Sequence, residues 1–245
     1  DEYTIWMSSQ TPHIQRLLLA AFVTGIPEHK VRCISPDVGG AFGTKIFCYA
    51  DMALTMFASK AIGGRPVKWV ESRRENYQST THGRDHITYL EIAGKRDGEV
   101  TGLRVKTLAN LGGRLSTIGP GIPTTLYARV LSGCYKIPNV YAEVTGVYTN
   151  TTFVDAYRGA GRPEATYVIE RAMDLFAAEI GMDRAEVRRR NFIQPDQFPY
   201  ENPSGLGTAS GGAKIYIDSG NYEPAMDMAL ATAGYAALDA KKAAA

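Results

Sequence analysis

Two glycine-broken loops hold the residue types best suited to a bound anionic cofactor. The first is Ser35-Pro36-Asp37-Val38-Gly39-Gly40-Ala41-Phe42-Gly43-Thr44-Lys45. Gly39, Gly40 and Gly43 allow positive φ and a close approach of the backbone to a ligand. A helix starting just beyond would supply unpaired N–H groups that suit an anion such as a pyrophosphate. Phe42 sets an apolar ring among the glycines, and Lys45 sets a cation at the rim. The second loop is Ala156-Tyr157-Arg158-Gly159-Ala160-Gly161-Arg162-Pro163, with its arginines directly before a long amphipathic pattern. A nicotinamide dinucleotide would need a G-x-G-x-x-G turn and a later acid. Gly39-Gly40-Ala41-Phe42-Gly43 lacks that spacing. His82 and His86 are four apart, which suits zinc on a helix, but they flank Gly83 before a strand pattern. His13 reads as a helix-surface residue and His29 as a loop residue.

The elements that must position these loops follow from periodicity and punctuation. Residues 4–7 predict a strand, and Thr11 and Pro12 predict a helix cap and first turn. Ile14, Leu17, Leu18, Ala21 and Phe22 recur at helical spacing and predict its buried face. Gly25-Ile26-Pro27 ends it, and residues 31–34 predict the strand that feeds the first loop. Residues 49–61 predict a helix with Met52, Leu54, Met56, Phe57 and Ala58 mostly buried. Residues 66–70 predict a strand and 71–78 a charged turn. Residues 86–92 and 100–111 alternate as strands around Asp97-Gly98, a hairpin signal. Residues 112–123 read as irregular, 124–131 as a short helix and 142–148 as a strand. The second loop opens a helix over 164–180, closed by Gly181, and Asp183 caps another over 184–191. A polar, Pro- and Gly-rich stretch fills 194–212, and a last helix with its lead-in covers 218–233, where Met226 and Met228 read as core. This interleaving predicts an α/β (α+β) fold of mixed sheets with packed helices.

Composition sets the bounds. The 245 residues are 44% apolar and 21% charged, an ordinary soluble composition. A formal charge of +2 argues against a nucleic-acid partner. Arg184, Arg188, Arg189 and Arg190 stand beside Asp183 and Glu186, as on a solvated helix face. No run of about 18 apolar residues exists, so no membrane span is expected. Cys33, Cys48 and Cys134 are widely spaced and read as reduced thiols of a cytoplasmic protein, Cys33 and Cys48 as small buried hydrophobes. The start at Asp1 looks like an interior cut from a longer chain. Residues 236–245 read as a low-information tail, and 1–235 as one domain, which the resemblance given next makes a cofactor-binding domain, its first half only.

Four stretches together resemble one family. Gly39-Gly40-Ala41-Phe42-Gly43-Thr44-Lys45 is similar to the GG-x-FG-x-K segment of the molybdenum-binding large subunit of the xanthine dehydrogenase and aldehyde oxidase family. Cys134-Tyr135-Lys136-Ile137-Pro138-Asn139 resembles its CYKIPN turn, and the second loop resembles its other cofactor loop. Glu186-Val187-Arg188-Arg189-Arg190-Asn191 resembles its E-x-R-R-x-N helix. The motifs run in order over about residues 1–225, and the most similar subgroup is that of aerobic carbon monoxide dehydrogenase large chains. The resemblance implies the first molybdopterin-binding domain of a molybdenum hydroxylase, an oxidoreductase. The implied cofactor is molybdopterin in its cytosine dinucleotide form, carrying molybdenum through the pterin and not through a side chain. The implied partners are an FAD-binding medium subunit, an iron-sulfur small subunit with [2Fe-2S], and a C-terminal half that holds the general-base glutamate. The implied substrate is a small molecule, an aldehyde or N-heterocycle, and the fragment is expected to be inactive alone.

The resemblance also assigns roles. It implies that Gln10 hydrogen-bonds an oxo group on molybdenum, and that the turn Gly40, Ala41, Phe42 and Gly43 faces the metal's oxygen ligands. It makes Arg158 a fixed cation that stabilises developing negative charge, and Gly159, Ala160 and Gly161 the walls of a roomy pocket. Lys45 and Arg162 stay open between the cofactor and a surface ion pair. Copper-containing relatives carry a cysteine in an A-Y-R-C-S-F-R loop, where this chain has Gly159. Copper prefers sulfur, so a copper-free enzyme is expected. Ile46 stands where purine-oxidising relatives place an acid, which implies a less polar substrate. The alternative is a non-catalytic structural or assembly domain that keeps the fold and has lost the cofactor.

Overall fold

The computed structural model describes residues 2–203 and 214–244. In chain order the elements are β1 (Tyr3–Trp6), α1 (Pro12–Leu18), β2 (Val31–Ile34), α2 (Ala50–Ala61), α3 (Arg73–Ser79), β3 (His86–Gly94) and β4 (Val100–Gly112). Then come β5 (Val140–Tyr148), α4 (Arg162–Ile180), α5 (Arg184–Asn191), β6 (Tyr200–Glu201), β7 (Tyr216–Ile217), α6 (Tyr222–Ala233) and α7 (Leu238–Ala244). β1 and β2 pair in parallel, β3-β4-β5 form a second sheet, and β6 and β7 pair antiparallel. Helices and mixed sheets are thus interleaved as expected. Among the described residues no helix is long and apolar enough to cross a membrane. Part of the expected polar stretch 194–212 lies outside the described residues.

The chain divides into two compact units. The first comprises Asp1–His86, Leu108–Pro123 and Gly146–Ala160. Its small core gathers Met7, Leu19, Ala20, Val31, Met52 and Met56. The buried face of α1 is not the predicted one. Phe22 is 82% exposed and Ile14 and Leu17 are exposed, whereas the polar Gln15 is buried. Gln15 is drawn in because its Nε2 donates to the Ile46 carbonyl at 2.6 Å. The helix also widens to a π-helical segment at Leu19–Thr24, and the wider turn shifts the periodicity that the 3.6-residue pattern assumed. Thr11 does not cap α1 with its side chain; its hydroxyl donates to the Ile46 carbonyl at 3.3 Å. In α2 Met52 and Met56 point inward, one turn apart, while Leu54 and Phe57 are exposed. Residues 66–70 form no strand. The stretch read as a charged turn contains α3, because Ser72 and Glu75 form a capping box.

The second unit comprises Ile87–Thr107, Thr124–Thr145 and Gly161–Ala245. Its larger core packs Val100, Val105, Leu131, Ile137, Ile169 and Met173 with their neighbours. The predicted hairpin is present. Gly98 has φ 97° and donates to the Lys95 carbonyl at 3.0 Å. Gly181 closes α4 in the left-handed conformation, and Asp183 caps α5 by accepting from Ala185 and Glu186 at 2.9 and 3.0 Å. The arginines of α5 are ion-paired: Arg188 with Glu170 and Asp174, Arg189 with Glu223 and Asp227, Arg190 with Glu186. The short helix expected over 124–131 is a π-helical turn at Ile122–Leu126 that continues as helix through 127–128 and then breaks into turns. Met226 packs against the core, but Met228 is exposed. The segment read as a low-information tail is helical over Leu238–Ala244.

Candidate cofactor site

The first loop leaves β2 and turns through a run of left-handed residues. Gly39, Gly40, Phe42 and Gly43 have φ of 62°, 94°, 57° and 111°. Phe42 is not a glycine, so its backbone is strained by about 1–2 kcal/mol. Such strain persists only where neighbours over-determine it. Those neighbours are visible. A Cβ on Gly43 would sit 2.2 Å from the Ala156 carbonyl oxygen, so the two loops meet backbone to backbone. The Phe42 carbonyl accepts the Arg158 N–H at 2.8 Å. The Gly43 N–H donates to Gln10 Oε1 at 3.0 Å. Only the oxygen of an amide can accept that proton, so the Gln10 side chain is oriented and its Nε2 is the end left to donate.

The expected anion-binding helix end is not contiguous with this turn. Residues 44–49 intervene before α2, tied by the Tyr49 hydroxyl to the Thr44 carbonyl at 2.6 Å. The N-terminal turn of α2 carries Asp51, whose carboxyl is pushed up by burial. Lys45 folds back across its own loop, and its Nζ donates to the Val38 carbonyl. Half-buried Ile46 is held by its backbone, its N–H donating to Gly43 at 3.0 Å.

The second loop starts from buried Asp155, whose carboxylate accepts the N–H groups of Ala156 and Ile118. Burial pushes that carboxyl up despite those donors. Tyr157 and Arg158 are exposed, and Arg158 Cζ lies 5.9 Å from the Phe42 ring centre. Among the described residues the Arg158 guanidinium has no carboxylate partner. Gly159 and Ala160 follow with φ of 99° and 42°. Gly161, at φ 86°, is the N-cap of α4, and exposed Arg162 is its first residue. The sequence reading passed over Arg84, whose Nη2 donates to the Arg158 carbonyl at 2.5 Å. The available signal was Gly83-Arg84 just before a strand.

A wide cleft of about 1330 Å³ opens beside this turn. Trp6, Tyr49, Trp69, Arg114 and Phe153 line it, with Thr44 and Lys45, but Gln10, Phe42 and Arg158 do not. His82 bridges Val154 through its backbone, its Nε2 3.4 Å from the Tyr77 carbonyl. Cys33, Cys48 and Cys134 are free and half-buried, and burial pushes Cys48 and Cys134 up to about 11.

Known proteins share this fold and much of this sequence. The sequence matches the molybdopterin cofactor-binding domain family over residues 1–192. It is 39% identical to the carbon monoxide dehydrogenase large chain of Afipia carboxidovorans, over 98% of this chain and 29% of that one. It is 32% identical to the nicotine 6-hydroxylase large subunit of Paenarthrobacter nicotinovorans, over 89% of this chain and 27% of that one. The crystal structure of a Cu,Mo carbon monoxide dehydrogenase superposes with a TM-score of 0.88 at 38% identity, covering 99% of this chain and 29% of the other. Quinoline 2-oxidoreductase from Pseudomonas putida 86 gives 0.87 at 28% identity, covering 99% of this chain and 30% of the other. The chain thus spans about 29% of the carbon monoxide dehydrogenase large chains it matches. Fold and sequence agree: the chain belongs to the molybdopterin cofactor-binding domain family, as found in large subunits of molybdenum-containing oxidoreductases.

Proposed function

We propose that the chain is the first cofactor-binding part of a molybdenum hydroxylase that oxidises an aldehyde or an N-heterocycle with water as oxygen donor. One observation carries this reading. Gln10, Gly43, Phe42 and Arg158 form a continuous hydrogen-bonded link between the two glycine loops. The residues fit the group. The Gly43 turn has no room for a Cβ, Gln10 keeps a free amide donor, and Arg158 offers an unneutralised cation.

Gln10, Gly40, Ala41, Phe42 and Gly43 would hold the molybdenum end of molybdopterin. When bound, the metal supplies the two-electron redox chemistry that no side chain here provides. Gln10 Nε2 would donate a hydrogen bond to an oxygen of the bound group, its amide being oriented by Gly43. Arg158 stabilises negative charge that develops at the substrate. The Phe42 ring, 55% exposed, presents an apolar wall. Gly159, Ala160 and Gly161 leave space beside Arg158, and Ile46 disfavours a purine. We read Gly159 as excluding copper.

The cofactor is read as the cytosine dinucleotide form. The general-base glutamate comes from the remainder of the large subunit, and electrons leave through [2Fe-2S] and FAD subunits. The names "large chain" and "large subunit" of the relatives support a multi-subunit enzyme. A cytoplasmic setting suits three unbridged thiols. A non-catalytic structural domain is not favoured, because the candidate loops keep a cradle that fits the cofactor. The test is metal analysis of the complete large subunit purified with the products of its neighbouring genes. Molybdenum near one per complex without copper, and turnover of an aldehyde or N-heterocycle, is the expected result. Stoichiometric copper would overturn the reading of Gly159, and absence of molybdenum would overturn the whole reading.

A further inference from the structure

We propose that Arg84 is a positioning residue that clamps the second loop against the glycine turn and thereby sets the place of Arg158. This rests on the reading of Arg158 as a site residue. Contacts of the Arg84 guanidinium run along the loop. Its Nη2 donates to the Arg158 carbonyl at 2.5 Å, and its Cζ lies 4.6 Å from the Tyr157 ring centre. Arg158 itself donates its N–H to Phe42 at 2.8 Å. The peptide groups on both sides of the Arg158 Cα are therefore pinned, one by the glycine turn and one by Arg84.

The backbone before the clamp is built for it. Arg84 holds φ 59°, a left-handed conformation that a long side chain adopts only when its contacts enforce it. Gly83 lies so close that an added Cβ would be 2.7 Å from Tyr157 Cβ. His82 exchanges backbone hydrogen bonds with Phe153 at 3.2 Å and Asp155 at 2.9 Å, which sets the register of this segment beside the loop. On the other side Asp85 accepts from the Asn110 side chain at 2.7 Å. Arginine suits the task because a planar fork can stack on a ring and donate in the same pose, which a lysine ammonium cannot.

The test uses the complete large subunit with its partner subunits. Arg84→Gly keeps the left-handed backbone comfortable while deleting the guanidinium, so it is the variant most able to fold. Arg84→Lys keeps the charge and loses the fork. The first readout is trypsin cleavage at the Arg158–Gly159 bond, whose carbonyl is the one Arg84 holds, followed by mass spectrometry on enzyme with and without molybdenum. The second is the Mo(V) electron paramagnetic resonance signal after reduction with dithionite. Both variants are expected to cleave about tenfold faster at that bond than wild type, with the thermal midpoint and molybdenum content retained and the Mo(V) signal altered (an order-of-magnitude expectation for releasing a pinned loop). Unchanged cleavage in both variants overturns the clamp. Faster cleavage with an unchanged Mo(V) signal overturns its link to the site and points to failure of the Arg158 reading instead. If Arg84→Gly does not fold, Arg84→Lys decides by the same two readouts.

Discussion

At Gly43 two independent facts forbid a side chain. Its φ of 111° lies outside the range of L residues, and a Cβ would strike the Ala156 carbonyl at 2.2 Å. Gly43→Ala should therefore destabilise the first unit by about 3 kcal/mol or more, the sum of a backbone and an overpacking cost. The measurement is a denaturant midpoint together with molybdenum content of the complete subunit; wild-type values for both would refute the close approach. Gln10 separates chemistry from stability. In Gln10→Glu a carboxylate oxygen can still accept the Gly43 N–H, so the thermal midpoint should hold. The donor at Nε2 is lost and a negative charge replaces it. On the proposed reading kcat should fall on the order of 100-fold, the usual effect of deleting one donor to a developing charge. An unchanged kcat would remove Gln10 from the site. The glycines and Phe42 are candidates on the sequence alone because a glycine run has few other physical meanings. Gln10 became a candidate only through the family resemblance. Arg84 stayed hidden because its partner is 74 residues away and no local spacing marks such a pair.

Elements were legible where local chemistry decides them. β2 falls on the predicted residues, and Asp183 and Gly181 bound their helices as their side-chain and backbone preferences require. The failures share a cause. The burial of α1 is set by Gln15 reaching a distant carbonyl and by a π-helical widening, neither of which hydrophobic periodicity contains. α3 lies in a stretch whose charge density reads as a turn, and the Ser72–Glu75 capping box is what starts the helix. Asn191, last in the E-x-R-R-x-N stretch, shows how an element is anchored. Buried, it donates to the carbonyls of Gly98 at 2.7 Å and Val187 at 2.8 Å and accepts the Val100 N–H at 2.9 Å. It joins α5 to the β3–β4 hairpin. Asn191→Ala strands two of those hairpin groups without partners and should cost about 3 kcal/mol. Urea unfolding of the complete subunit measures it. A loss below about 1 kcal/mol, the scale of a solvent-exposed hydrogen bond, would mean that water replaces the amide.

The whole molecule is uneven in what holds it together. Among the described residues six make up the buried apolar cluster of the first unit, against seventeen in the second. The first unit also exposes Trp6, Leu17, Phe57, Trp69 and Val70. Large apolar side chains exposed beside a thin core suit cover by another protein segment. On the proposed reading that segment is the remainder of the large subunit. Two consequences follow for this 245-residue chain studied by itself. It should bind a hydrophobic dye and associate with itself, while the complete subunit does neither. Its stability should also be graded, since local opening tracks local burial. Amide exchange is then expected to be faster by at least about tenfold in α1 and α2 than in β4 and α4, a difference of about 1.4 kcal/mol in opening free energy. In the complete subunit α1 and α2 should gain protection, while β4 and α4 change little. Equal protection of α1 and α4 in the isolated chain would show that the first unit is stable without a covering partner. The exposed tryptophans would then be ordinary surface, and the proposed division of the site between this chain and a distant glutamate would lose its structural support.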